Sequence, residues 1–192
     1  MITALLSHLP CDIMDMGIVP DSLDAMTQAL ERAAGADIIL STGGASVGDH
    51  DFVRSAFTKA GGNLDFWKIR MRPGKPLMAG TLDGAVFLGL PGNPVSAFVT
   101  TTLFLLPLVR HMAGAANPFP RISTANLAAS LPATGERDDY LRAYHDDAGV
   151  VCMTSQDSAA TVALAEADCL VLRPAASPPA SAGEQVTILP LS

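Results

Sequence analysis

The sequence predicts an α/β fold followed by a small all-β domain, and three observations carry that reading. Apolar segments at helical spacing alternate with short strand-like apolar runs through the first two-thirds of the chain. Glycine- and proline-rich loops stand where strands hand over to helices. Beyond Arg121 the pattern shifts to short alternating segments separated by turn residues. Strand–loop–helix units in this order argue for a parallel or mixed sheet covered by helices.

The elements follow in order. Ile2, Leu5, Leu6 and Leu9 recur at helical spacing and end at Pro10. Asp12–Gly17 reads as a short strand. Asp21 or Ser22 can cap a helix running to about Ala34, with Leu23, Met26, Leu30 and Ala33 on one face. Gly35 ends it, and Ile38–Leu40 is an apolar run typical of a buried parallel strand. A glycine-rich loop from Thr42 to Gly48 leads into a helix over Asp51–Ala60. Further strands are expected at Leu64–Arg70, Pro76–Ala79 and Ala85–Leu88, then a helix from Pro94 to about Met112. Gly114–Arg121 reads as a linker. Strands are expected at Leu141–His145, Val150–Thr154, Cys169–Leu172 and Val186–Leu189, with one helix at Thr161–Ala167. A doubly wound domain normally starts with a central strand, whereas this chain opens on a helix. Either the fold is entered differently or an upstream strand is missing.

Composition narrows the function. Of 192 residues, 49% are hydrophobic and 16% charged, enough for a sizeable core and against global disorder. Nineteen acidic against twelve basic residues give a net charge of −7, which disfavours general binding to nucleic acid or anionic membranes. An anionic ligand must then be met by a local basic patch. Cys11, Cys152 and Cys169 are too few and too scattered for a disulfide framework or a zinc site, so a reducing, cytoplasmic setting is expected. No apolar run approaches the roughly 20 residues of a membrane span, and Met1–Pro10 lacks the pattern of a signal peptide.

Three segments carry chemistry. In the first, Ser41–Asp51, Gly43, Gly44 and Gly48 let the backbone approach a ligand closely, while Thr42 and Ser46 add hydroxyls. Free amides there favour a phosphate or similar oxyanion. The pattern is neither the dinucleotide fingerprint nor the P-loop. In the second, Trp67–Pro76, the basic residues concentrate. Six of the twelve lie between Arg54 and Lys75, with Asp65 the one acid among them. On a continuous strand Lys68, Arg70 and Arg72 would share a face, and Pro73-Gly74 would present Lys75. In the third, Pro91 and Pro94 fix the backbone on both sides of Gly92-Asn93, giving a rigid loop before a helix. Asp21, Asp49 and Asp51 stand at strand-to-helix junctions. A carboxylate beside phosphate-binding amides needs a bridging cation, for which Mg²⁺ is the usual solution, although Asp21 and Asp51 serve equally as helix caps. His8, His50, His111 and His145 show no ligand spacing, and only His50 falls in the glycine loop.

Taken together, TGGASVGDHDFV (Thr42–Val53), FWKIRMRPGKPL (Phe66–Leu77) and GLPGNPVSAF (Gly89–Phe98) resemble the molybdopterin molybdenumtransferase (MoeA) family, which includes the E domain of gephyrin. The later stretches Tyr140–Arg142, QDSAATVALAEADCLVLRP and GEQVTILPL are similar to that family's C-terminal domain. The resemblance implies a three-layer molybdopterin-binding domain of the MogA/MoaB type over residues 1–114, with a mixed, mostly parallel sheet. A linker over 115–121 and a small C-terminal β-barrel over 122–192 would follow. It implies insertion of molybdate into adenylylated molybdopterin with release of AMP, assisted by Mg²⁺. Asp21, Asp51, Lys68 and Arg72 match positions for catalysis or substrate contact, with Asp21 and Asp51 as the metal ligands. Thr42, Gly43, Gly44, Ser46 and Gly48 match the pterin-phosphate loop, and Lys75 adds to the substrate contacts. Pro91, Gly92, Asn93 and Pro94 match the proline loop near the molybdate. Arg72 stands where lysine is usual in the family. Family members are longer and form homodimers whose active sites borrow groups from N-terminal domains, so the chain is expected to be a C-terminal portion. Two other readings stay open: a gephyrin-like scaffold without catalysis, and a CinA- or MogA-like relative acting on another nucleotide-linked substrate.

Overall fold

The computed structural model describes residues 1–44, 52–157 and 161–191. The chain divides into two compact units, one of Met1–Ile69 with Gly74–Pro118, the other of Arg70–Pro73 with Phe119–Ser192.

The first unit is built on a four-stranded sheet of β1 (Ile38–Thr42), β2 (Asn63–Trp67), β4 (Met78–Leu82) and β5 (Ala85–Leu90), in the order β1-β5-β4-β2. β1 pairs parallel with β5, while β4 runs antiparallel to both β5 and β2. Three strands therefore run the same way and one is opposed: the sheet is mixed. Alternation along each strand sends side chains to two faces. On one face Ile39, Met78, Leu82, Ala85 and Phe87 pack against α2 (Leu23–Arg32) and α3 (Phe52–Lys59) through Leu30, Val53, Ala56 and Phe57. Phe57 and Phe87 stack with ring centroids 4.4 Å apart. On the other face Leu77, Leu88 and Leu90 pack against α1 (Ile2–Leu6) through Leu6, and against α5 (Leu106–Met112) and the turn before it through Leu105, Leu106 and Val109. The unit is thus a three-layer α/β sandwich.

Several expectations need correction. Asp12–Gly17 is no strand: it has no ladder partner, and the Gly17 N–H donates to Asp15 Oδ1 (2.8 Å) in a local turn with Gly17 at φ +72°. The first helix stops at Leu6 rather than near Pro10. Of the two possible caps for α2 it is Ser22 that accepts, from the Ala25 N–H at 3.2 Å. The run Leu64–Arg70 is not one strand. β2 ends at Trp67, Lys68 takes a left-handed backbone (φ +78°), and β3 (Met71–Arg72) joins the other unit's sheet. Lys68, Arg70 and Arg72 therefore do not share a strand face. The helix after Pro94 is α4 (Pro94–Thr100), a π-helical turn over Thr101–Leu105, and α5. Its 19 residues are long and apolar enough to cross a membrane by length and composition, which the sequence reading did not foresee, but most of the span is buried inside the fold.

The second unit holds a six-stranded sheet in the order β3-β7-β9-β10-β6, with β8 on β7. Its strands are β6 (Ser123–Asn126), β7 (Asp138–Asp146), β8 (Gly149–Cys152), β9 (Cys169–Arg173) and β10 (Gln185–Pro190). The sheet wraps a core of Leu127, Ala143, Val150, Cys169, Val171, Val186 and Ile188. It is not a closed barrel: among the described residues no ladder joins β6 to β8, and the two edges meet at a bridge between Leu127 and Val150. β6 was not anticipated because Ser-Thr-Ala-Asn carries no apolar alternation; its pairing with β10 forms it. α6 (Thr161–Glu166) buries no residue.

Candidate functional site

Sheet register places the chemistry-bearing segments. Ser41, Gly89, Met78 and Trp67 form one row across the four strands. β1, β5 and β2 all run toward that row, so the loops that leave them emerge along a single edge. In open α/β sheets the carboxyl ends of the strands are where ligands bind. Thr42–Gly44 leave β1, Pro91–Asn93 leave β5, and Lys68 leaves β2 two strands away, about 10 Å at the usual strand spacing.

Two of these loops touch through glycine. The Gly43 N–H donates to the Leu90 carbonyl at 3.1 Å. A Cβ on Gly92 would lie 3.1 Å from Gly43 Cα, and one on Gly44 (φ +68°) would lie 2.5 Å from Val53 Cγ2 of α3. These glycines let the first and third segments close on each other and on the helix behind them. Asn93 caps α4, its Oδ1 accepting from the Val95 and Ser96 N–H groups at 3.1 and 3.4 Å. Its oxygen is thus taken up in holding the helix start rather than aimed at a ligand. Pro91 is buried, and Pro94 forms the first turn of the helix.

Asp21 joins the same edge from α2, whose amino end lies beside the carboxyl end of β1. Asp21, Thr42, Gly43 and Gly44 line one cleft of about 570 Å³, floored by Leu30, Ile39 and Ser41. Ser41 Oγ is buried there with no hydrogen-bond partner among the described residues. An unpartnered buried hydroxyl costs of order 1–3 kcal/mol, which a polar ligand group would recover.

The second segment is arranged differently from the sequence reading. The Lys68 N–H donates to Leu77 O (2.9 Å), and the Ile69 N–H to Lys75 O (3.0 Å), so Lys68 and Lys75 stand together beyond β2 and β4. Lys68 Nζ lies 3.8 Å from the centroid of the Trp67 ring, and Arg54 Cζ lies 4.8 Å from it. Trp67 also packs against the core cluster, so it is both a core residue and a platform for cations. Periodicity could not reveal this stack, because Arg54 arrives from α3. Arg70 and Arg72 belong to the second unit. Arg70 donates to Glu136 O at 3.1 and 2.8 Å, and Arg72 Nη2 pairs with Asp139 Oδ2 at 2.7 Å. Ser46, Gly48, Asp49, His50 and Asp51 lie outside the described residues.

A three-layer α/β unit with two glycine loops in contact, an acidic residue and a pair of lysines at one sheet edge defines a class of α/β domain whose edge offers backbone amides and positive charge to a ligand, here followed by a small β unit. Comparison with known proteins then fixes the family. Residues 1–111 match the family described as a probable molybdopterin binding domain, and residues 124–191 match the MoeA C-terminal region, domain IV. The chain belongs to this molybdopterin-binding family. It is 35% identical to the molybdopterin molybdenumtransferase of Haemophilus influenzae over 98% of the chain and 48% of that protein. It is 34% identical to the Staphylococcus aureus protein of the same name, over 98% of the chain and 46% of that protein. The chain thus spans about half the length of these relatives. The crystal structure of the molybdopterin biosynthesis MoeA protein of Pyrococcus horikoshii superimposes with a TM-score of 0.77 at 25% identity, covering 92% of this chain and 43% of that one.

Proposed function

We propose that the chain supplies the molybdopterin-binding part of a molybdenum insertase, which transfers molybdate to adenylylated molybdopterin and releases AMP. The observation that carries this reading is the meeting of Gly43 with Gly92 at the sheet edge that also bears Lys68. Relatives over almost the whole chain are named molybdopterin molybdenumtransferase, which supports it.

In this reading the backbone amides of Gly43 and Gly44, with Thr42, cradle the phosphate, and Ser46 and Gly48 add to the substrate contacts. Lys68 and Lys75 offset the charge of the oxyanion and the phosphoanhydride, a preorganised role strongest where water is excluded. Pro91–Pro94 stiffen the wall on the molybdate side.

Mg²⁺ fits the donor set. Asp21 offers a hard carboxylate oxygen on the cleft that holds the phosphate loop, which suits an oxygen-seeking cation. Asp21 and Asp51 would hold the ion, which when bound supplies charge neutralisation between carboxylate and phosphate. The protein acts as a homodimer in this reading, and its free thiols favour the cytoplasm.

The test is AMP release from adenylylated molybdopterin with molybdate and Mg²⁺. Lys68→Ala and Asp51→Ala are each expected to lower turnover tenfold or more, about 1.4 kcal/mol or more, with an unchanged melting temperature. Wild-type turnover in both variants would remove these residues from the reaction.

A further inference from the structure

The second unit carries a cluster that the function above does not use. His145 lies near the end of β7; Asp168 immediately precedes β9 and Cys169 opens it, β9 pairing antiparallel with β7 through Ala143 and Cys169. The Asp168 N–H donates to Ala143 O (3.1 Å), and the Leu191 N–H donates to Asp168 O (2.9 Å), so the backbone of Asp168 is fixed from two sides. Its carboxylate turns to His145, accepting the backbone N–H at Oδ2 (2.9 Å) and standing 3.0 Å from Nδ1 with Oδ1. The Cys169 side chain is fully buried beneath this pair, while those of His145 and Asp168 are about half exposed. The imidazole nitrogen, the carboxylate oxygen and the thiol sulfur all lie within 4.8 Å of one another.

From this juxtaposition of His145, Asp168 and Cys169 we infer a transition-metal site of the zinc type at the β7–β9 edge, separate from the cleft of the first unit. One nitrogen, one oxygen and one sulfur ligand are the set that borderline-soft Zn²⁺ takes, whereas Mg²⁺ takes oxygens alone. The spacing agrees. Zinc bonds of 2.0–2.3 Å in a tetrahedron put neighbouring ligand atoms about 3.4–3.6 Å apart. The present His145–Asp168 contact is a few tenths shorter, as a hydrogen bond that the ion would replace should be. Cys169 closes the site from the core, and the exposed side leaves a fourth position to water. Binding converts the Cys169 thiol to thiolate, and its proton is released to solvent, one per ion.

Scattered spacing in the sequence hides the cluster, since His145 and Cys169 are brought together only by the strand pairing.

The experiment titrates the full chain, freed of metal by a chelator, with Zn²⁺ by calorimetry and with Co²⁺ by absorption. Expected are one saturable site, one proton released per Zn²⁺, and a thiolate-to-cobalt charge-transfer band with tetrahedral d–d bands. His145→Ala and Asp168→Asn, both at exposed positions, should weaken binding at least tenfold, and Cys169→Ser should abolish the charge-transfer band. Cys11→Ser and His8→Ala should change nothing. Absence of saturable binding, equal affinity in His145→Ala, or a band that follows Cys11 or Cys152 would each overturn the assignment. AMP release and pterin binding play no part in these readouts, so the outcome stands apart from the insertase reading.

Discussion

Gly44 and Gly92 carry the tightest constraints in the candidate site. At Gly44 an added Cβ would press into Val53 Cγ2 at 2.5 Å on a backbone of φ +68°, so alanine meets both strain and overpacking. Gly44→Ala is expected to lower stability by about 2–4 kcal/mol in urea unfolding. At Gly92 the conflict is 3.1 Å to the Gly43 backbone, which lies within the proposed ligand cradle. Gly92→Ala should therefore widen the loop contact and weaken ligand binding more than it destabilises the fold. Cys169 supplies a residue-scale test of pH. Its thiol rises from the ordinary 9.0 to about 12 in the folded protein, so above pH 9 the unfolded chain loses a proton that the folded chain keeps. Stability from this group is complete below pH 9 and falls as pH climbs toward 12. Unfolding midpoints measured across that interval should decline in the wild type and decline less in Cys169→Ala.

Helix starts and strand ends decide the geometry at the next scale. Asn93→Ala removes the cap of α4 and should cost about 1 kcal/mol, read from the urea midpoint. β3 is two residues long, and the Arg72–Asp139 pair reinforces its join to β7. The Asp139 side chain is only 7% exposed, so Arg72→Ala strands a buried carboxylate and should cost about 1–3 kcal/mol. A melting temperature that does not move in Arg72→Ala would show that the bond is not holding the strand. The break between β2 and β3 also marks where sequence reading failed. Apolar and polar residues alternate without a break from Trp67 to Arg72, so nothing in the period announces that Lys68 turns left-handed and that Arg70 changes sheets. By contrast β1, α2, α3 and β5 were legible, because a buried strand or an amphipathic helix needs a dense apolar pattern. The polar strand Ser123–Asn126 was not, since its edge pairing supplies what its side chains lack.

At the scale of the whole chain, the net charge is −7 while one sheet edge bears Lys68 and Lys75, so in the proposed function that edge is where an anionic ligand is drawn. The glycine and proline loops announced that edge in the sequence, because few side chains tolerate such close backbone approach. The Trp67 platform and the union of Asp21 with the glycine loop in one cleft did not show, since both depend on elements distant along the chain. The most direct measurement is equilibrium binding of molybdopterin to the wild-type chain and to Lys68→Ala, with melting temperature recorded alongside. Saturable binding is expected in the wild type, weakened at least tenfold in the variant at unchanged stability. Equal affinity in the two proteins would contradict the claim that the loops after β1, β2 and β5 form one anion-binding edge.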